Sequence, residues 1–290
     1  MHVLLITNDE SGTADALDPE AAVREALPQA RITRLDVAEA HAAAQREVVP
    51  AGDVTRVLVA GGDGSVGAAA KLAWLASVPL GVIPMGTAND FARAMGLPAD
   101  PADAARLAAV SEHTRSIDLG DVGRPFVNVT SLGLAPHAAE HADSMKGLLS
   151  ALAYPLGAMR ALVGFRPIHV RAVADGDAVF DGRAWQVILA CTGAFGGWGD
   201  TGGTRDGDGM LDLLVVPGGR RTRKLVLDAR AVTQGDLADR DGVVHVRARA
   251  VELTLREPTQ LVVDGELVDS DGTTVRAGVR RGPVRVVIDA

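Results

Sequence analysis

The sequence predicts an α/β protein, with an N-terminal parallel sheet flanked by helices and a strand-rich second domain. Three observations carry that expectation. Up to about residue 125, short aliphatic runs alternate with helix-patterned segments, as in βαβ units. Beyond Asp121 the runs follow one another with few helices between them. They are punctuated by Asp175-Gly176, Asp181-Gly182, Asp241-Gly242 and Asp271-Gly272, pairs that favour tight turns. Finally, 47% of the 290 residues are hydrophobic but only 3% are aromatic, so the core is built from Ala, Val and Leu.

In order along the chain, Val3 to Thr7 is an apolar strand and Pro19 to Leu27 has helical spacing. Ile32 to Val37 reads as the next strand, and Val54 to Ala60 as a buried one ending at Gly61. Ser65 to Ala76 is helical, Leu80 to Met85 is a strand, and Asn89 to Met95 is a short helix stopped by Gly96 and Pro98. The later strands are Phe126 to Ser131, Ile168 to Ala174, Val179 to Cys191, Leu211 to Val216, Val243 to Arg249, Val251 to Leu255 and Leu261 to Val263. Helices are expected over His137 to Leu162, with a kink at Pro155, and over about Thr222 to Thr233.

Charge and composition narrow the function. A net charge of −8 argues against a nucleic-acid binder held by phosphate contacts and against whole-surface attraction to anionic lipid. The lone Cys191 forms no internal disulfide, and the opening Met1-His2-Val3-Leu4-Leu5-Ile6 lacks a signal peptide's basic region and long apolar run. The stretch from Leu148 to Gly164 is broken by Pro155, Gly157 and Arg160, which unsuits it to span a bilayer. The expectation is a cytoplasmic protein.

Gly61-Gly62-Asp63-Gly64-Ser65 lies between a buried strand and a helix. Glycines there allow close backbone approach to a ligand, and the helix adds its positive end, a combination that suits phosphate. Asp63 fits a metal, a ribose or a hydroxyl better than bare phosphate; a ligand-free tight turn is the alternative. The next strand ends in Gly86-Thr87-Ala88-Asn89-Asp90-Phe91-Ala92-Arg93. Alone, Asn89 or Asp90 reads as a helix cap. Strand C-termini of a doubly wound sheet share one edge, however, so the two loops are expected to face one crevice.

These motifs, followed by Ile117-Asp118-Leu119-Gly120, Phe126-Val127-Asn128-Val129, Asp208-Gly209-Met210-Leu211-Asp212 and Val263-Asp264-Gly265-Glu266, resemble the diacylglycerol-kinase catalytic family, the bacterial soluble lipid kinases in particular. The resemblance covers nearly the whole chain. It implies transfer of the γ-phosphoryl group of ATP, with Mg²⁺, to a lipid hydroxyl in a cleft between an ATP-binding α/β domain and a β-sandwich-like lipid-substrate domain. The first domain would comprise residues 1–124 plus about 284–290, its last strand Val284 to Ala290, and the second 125–283. Gly61, Gly62, Asp63, Gly64, Ser65, Val66 and Gly67 would wrap the phosphates, with Gly86, Thr87 and Asn89 as further nucleotide contacts. Glu266 would be the general base, and Asp90 and Asp118 would complete an acidic network around the nucleotide's Mg²⁺. A structural Mg²⁺ would sit on the Asp208 side chain and the carbonyls of Arg205 and Met210. On spacing alone, Asp264-Gly265-Glu266 is a hairpin turn with an exposed Glu.

The family's opening Asn-Pro-x-Ser/Ala-Gly is here Asn8-Asp9-Glu10-Ser11-Gly12, which loses the proline and puts two acids near a polyanion's expected site. Ser65 replaces the usual Thr, and the usual Pro and Ala are absent around Thr201 to Arg205. An EF-hand reading of Asp206 to Gly209 fails because Pro217 stands where the terminal Glu belongs. His137-Ala138-Ala139-Glu140-His141 spells an inverted zinc-protease motif without a third ligand, and reads as a helix face. Arg220, Arg221, Arg223 and Lys224 form a basic run, either a solvated face or a transient contact with lipid headgroups. Two alternatives stand beside the lipid kinase: a soluble-metabolite kinase, since NAD kinases and phosphofructokinases share the GGDG loop, and a nucleotide-binding protein without catalysis.

Overall fold

The structure is a computed structural model that describes residues 1–7, 17–137, 165–192, 194–195, 199–200, 207–218 and 242–290. β1 (His2–Thr7), α1 (Pro19–Ala26), β2 (Arg31–Asp36), α2 (Val37–Arg46), β3 (Arg56–Gly61), α3 (Asp63–Ala76), β4 (Leu80–Pro84), α4 (Asp90–Ala94) and α5 (Pro101–Val110) form the first half. Its strands pair in parallel in the order β2–β1–β3–β4. Every residue of β1, β3 and β4 is buried, because helices cover both faces of the sheet. Leu4, Ile6, Val57, Val59 and Val82 pack with Ala40 of α2 and Ala69 and Leu72 of α3. On the opposite face, Val3, Leu5, Leu58 and Ile83 meet Val23 of α1 and Ala105 and Ala108 of α5. Each fully buried Val or Leu side chain stabilises the fold by about 1.5–3 kcal/mol.

Two helices here go beyond the sequence expectation, and both start at a clear cap. The strand expected through Val37 ends at Asp36, whose carboxylate accepts the Ala38 N–H and forms a capping box with Glu39, starting α2. Asp100 accepts the N–H groups of Ala102 and Asp103 ahead of Pro101, starting α5. Alanines fill the buried face of α5, which lies so close to β4 that a Cβ on Gly81 would stand 2.7 Å from Ala108 Cβ.

The second half contains β5 (Thr114–Asp121), β6 (Pro125–Phe126), β7 (Val129–Gly133), β8 (Ile168–Ala174), β9 (Asp177–Ala190), β10 (Ala194–Phe195), β11 (Gly199–Asp200), β12 (Leu211–Pro217), β13 (Val244–Ala248), β14 (Ala250–Leu255), β15 (Gln260–Val263), β16 (Glu266–Asp269) and β17 (Thr274–Val287). An antiparallel ladder runs β16–β15–β7–β9–β8–β14–β17, with β12 also beside β9 and β13 beside β12. Leu132, Val187, Leu189, Leu213, Val251 and Leu253 lie in its core. The fold is thus a parallel α/β layer joined to a β-sandwich-like part. Beyond His137, the helix expected to Leu162 lies outside the described residues up to residue 164, as does the one at Thr222 to Thr233.

β17 links the two halves. Thr274–Gly278 pair with β14, the stretch around Gly278–Arg280 and Val284–Val287 pairs with β5, and Val286 bridges to Leu80 of β4. The register shifts between Arg280 and Val284, where Gly282 takes a φ of 52°. Val275 and Ala277 therefore pack in the second core, and Val284 and Val286 in the first. The final strand is longer at its start than the expected Val284 to Ala290, and it ends at Val287.

Candidate active site

β3 and β4 are adjacent and parallel, so the loops that leave their C-terminal ends emerge side by side. They touch backbone to backbone: a Cβ on Gly62 would lie 3.2 Å from Gly86 Cα, and one on Gly86 would lie 2.5 Å from Gly62 Cα. Part of the glycine requirement thus comes from the other loop, a reason that reading the first loop against a ligand alone does not supply. Asp63 locks the pair. Its Oδ2 accepts the Asp90 N–H at 3.0 Å and its Oδ1 accepts the Phe91 N–H at 2.8 Å. The Asn128 side-chain amide donates to the same Oδ1 at 3.2 Å. Asp63 therefore caps α4 from a different loop, and burial raises its carboxyl above the usual range against the pull of those N–H groups.

Asn89 does not cap α4 with its side chain. It sits at φ 48° and closes the second loop on itself, accepting from the Gly86 N–H and donating to the Gly86 carbonyl. Thr87 is exposed at the tip. Asp90 is buried and paired with Arg93 at 2.5 Å. α3 begins at Gly62 with no side-chain cap on its first turn. Ser65, Val66 and Gly67 are buried; Val66 belongs to the core, and a Cβ on Gly67 would meet the Pro125 carbonyl at 2.7 Å.

The third component comes from the far end of the chain. Asp264 and Gly265, at φ 46° and 91°, form a two-residue turn flanked by the Val263–Glu266 pair. Asp264 is buried and accepts the N–H groups of Val127, Asn128 and Val129 at 2.8–3.0 Å, which fixes the hairpin to the segment ahead of β7. Burial pushes its carboxyl up to about 7 against those hydrogen bonds. Anchored in this way, the turn delivers Glu266 onto the first loop, where a Cβ on Gly64 would collide with the Glu266 carboxylate. The carboxylate is ion-paired with Arg124, and His41 Nε2 lies 3.9 Å from Oε1. The spacing-based reading of a hairpin turn is correct, and the Glu it carries, 39% exposed, lies against the loop.

A backbone-lined loop with an uncapped helix end, a second loop locked to it and a carboxylate laid across its glycine is a geometry suited to phosphoryl transfer. The model of the diacylglycerol kinase catalytic domain matches residues 2–122, and that of the YegS C-terminal NAD kinase beta sandwich-like domain matches residues 128–288. The chain belongs to the diacylglycerol-kinase catalytic-domain family. It is 32% identical to the diacylglycerol kinase of Bacillus subtilis over 72% of this chain and 70% of that one. It is also 32% identical to a Pseudomonas fluorescens protein named "Probable lipid kinase YegS-like", over 83% and 79%. A Bacillus anthracis crystal structure assigned as a diacylglycerol kinase superposes with a TM-score of 0.77 at 25% identity, covering 99% of this chain and 95% of that one. The class of activity is that of a kinase in a lipid-kinase family.

Other residues singled out on the family resemblance stand elsewhere. Asp118 is buried, and its two oxygens accept the N–H groups of Gly209 at 2.7 Å and Gly282 at 2.5 Å, so it ties the β12 approach to the bulge in β17. Asp208 accepts the Met210 N–H at 2.9 Å and is ion-paired with Arg247 of β13, which also approaches buried Asp212 at 3.6 Å. A guanidinium therefore pairs with the Asp208 carboxylate to which the resemblance assigns a structural Mg²⁺. Arg205 lies outside the described residues, as do Asn8 to Gly12, Glu140, His141 and the basic run at Arg220 to Lys224. Among the described residues no three His, Cys, Asp or Glu side chains converge to hold a metal, and no helix is long and apolar enough to cross a membrane. Asp63 and Asp90 lie close enough for the Asp90 charge to act on Asp63. One or two carboxylates suffice for Mg²⁺ that arrives on nucleotide phosphates, so the loop fits such an ion.

Sequence reasoning gave no role to His41, Arg124, Asn128 or Asp264. Asn128 carries a signal, a polar side chain inside the expected strand Phe126 to Ser131, whereas Asp264 reads locally as an ordinary turn residue. His41 and Arg124 carry no local signal; only the fold brings them to Gly64.

Proposed function

We propose that the protein transfers the γ-phosphoryl group of ATP to a lipid hydroxyl, with Glu266 as general base. The observation that carries this reading is the Glu266 carboxylate resting against Gly64 of the first loop. A base there lies beside the position that the uncapped first turn of α3 offers to the terminal phosphate. The Gly61–Ser65 backbone and the Gly86–Thr87 tip hold the phosphates, and Asp90, oriented by Arg93 and by the Asp63 cap, is the carboxylate for the nucleotide's cation. Bound Mg²⁺ would supply charge neutralisation on the phosphates. Glu266 takes the proton of the acceptor hydroxyl as its oxygen bonds to phosphorus and the bond to the ADP oxygen breaks. Phosphoryl transfer asks mainly for positioning and electrostatics, which a rigid pair of loops provides. Asp118 serves this reading from a distance, by positioning the segments at Gly209 and Gly282.

The acceptor class rests on the names of the relatives, and the test is direct. The protein is incubated with Mg²⁺, γ-labelled ATP, a crude lipid extract, NAD and sugar phosphates, and the phases are separated. Label in the organic phase supports a lipid kinase, and label among the soluble acceptors makes it a metabolite kinase. Bound ATP with no transfer makes it a nucleotide-binding homologue.

A further inference from the structure

Three side chains from distant parts of the chain meet beside the first loop: Glu266 of β16 lies against Gly64, His41 of α2 bonds to the Gly64 backbone, and Arg124 ahead of β6 contacts both side chains. The Arg124 guanidinium is shared, ion-paired with Glu266 and 3.0 Å from His41 Nε2. Arg124 is only 20% exposed, and it is placed by the turn in which Asp121 accepts the Gly123 N–H and the Arg124 carbonyl accepts the Val122 N–H. Burial, and then the neighbouring guanidinium, lower the pKa of His41, which favours neutral imidazole with Nε2 as an acceptor for Arg124. The cluster thus holds one fixed anion and one fixed cation at the mouth of the loop.

We propose that Arg124 is a ligand of the nucleotide's terminal phosphate and screens that phosphate from Glu266, with His41 holding the guanidinium between them. This rests on the kinase reading. A terminal phosphate at the loop and a carboxylate on Gly64 repel each other, yet the transfer needs both in one place. A guanidinium has several donors in a planar fork, so it can engage a carboxylate and a phosphate oxygen together. ADP lacks the terminal phosphate and should be indifferent to Arg124.

The test is calorimetric titration of ATP and of ADP, each with Mg²⁺, into wild type, Arg124→Gln, Glu266→Gln and the double variant. Arg124→Gln should weaken ATP by at least tenfold and ADP by less than twofold. Adding Glu266→Gln to it should restore ATP affinity at least threefold, because the repulsion goes with the charge. Arg124→Met, which keeps an unbranched stem, carries the same expectation if the Gln variant fails to fold. Equal weakening of both nucleotides, no loss of ATP affinity, or no recovery in the double variant would overturn the proposal. Wild-type protein that binds neither nucleotide would overturn the kinase reading and the proposal with it, a result unlike any of these.

Discussion

Glu266 owes its position to two neighbours that do no chemistry themselves: buried Asp264, which anchors the turn, and Gly64, which leaves room for the carboxylate. Glu266→Gln keeps the shape but cannot accept a proton at neutral pH. Its kcat with a lipid acceptor should fall by about 10²–10⁴-fold, with the KM for ATP not raised. Gly64→Ala should reach a similar end sterically, since the added methyl displaces Glu266 while the loop backbone remains; steady-state kinetics beside a melting curve separate this from unfolding. His41 makes a pH prediction. Its pKa is lowered on folding, so the unfolded chain takes up the proton first and stability falls as pH drops below about 6.5. His41→Gln should flatten that part of a plot of Tm against pH, and an unchanged slope would show that the fall comes from other groups.

At the scale of elements, two loops are made into one by the Asp63 cap and the Gly62–Gly86 contact. Asp63→Ala removes a cap supplied in trans and should cost about 1–2 kcal/mol in a denaturant titration, as well as loosening Asp90. The turn at Asp208 already holds Arg247, so millimolar Mg²⁺ without nucleotide should leave the Tm unmoved. A rise that Asp208→Asn abolishes would show that metal displaces the guanidinium. Much of this scale was legible in the sequence. The strand runs, the two glycine loops and the Asp-Gly hairpin follow from local pattern and turn chemistry. α2 and α5 were missed because their buried positions are alanines, which give little hydrophobic contrast. The sharing of Arg124 by Glu266 and His41 was not legible, since it joins residues 41, 124 and 266 through the fold alone.

At the scale of the molecule, β17 belongs to both cores and Asp118 clamps its bulge, so the position of Glu266 over Gly64 is a property of the joined halves. The family resemblance anticipated that the chain end returns to the first domain, but only the paired registers show one strand running through both cores. Thermal unfolding followed by near- and far-ultraviolet circular dichroism should therefore give coincident transitions, whereas separate midpoints would show that the halves are independent. The central claim is that a base from the second half acts on a phosphate held by the first. A single-turnover experiment with γ-labelled ATP and lipid acceptor, comparing wild type with Glu266→Gln at saturating nucleotide, tests it most directly. Rapid label transfer to lipid in the wild type and a loss of about 10²-fold or more in the variant, with ATP still bound, is the predicted result. A variant that transfers at the wild-type rate would contradict it.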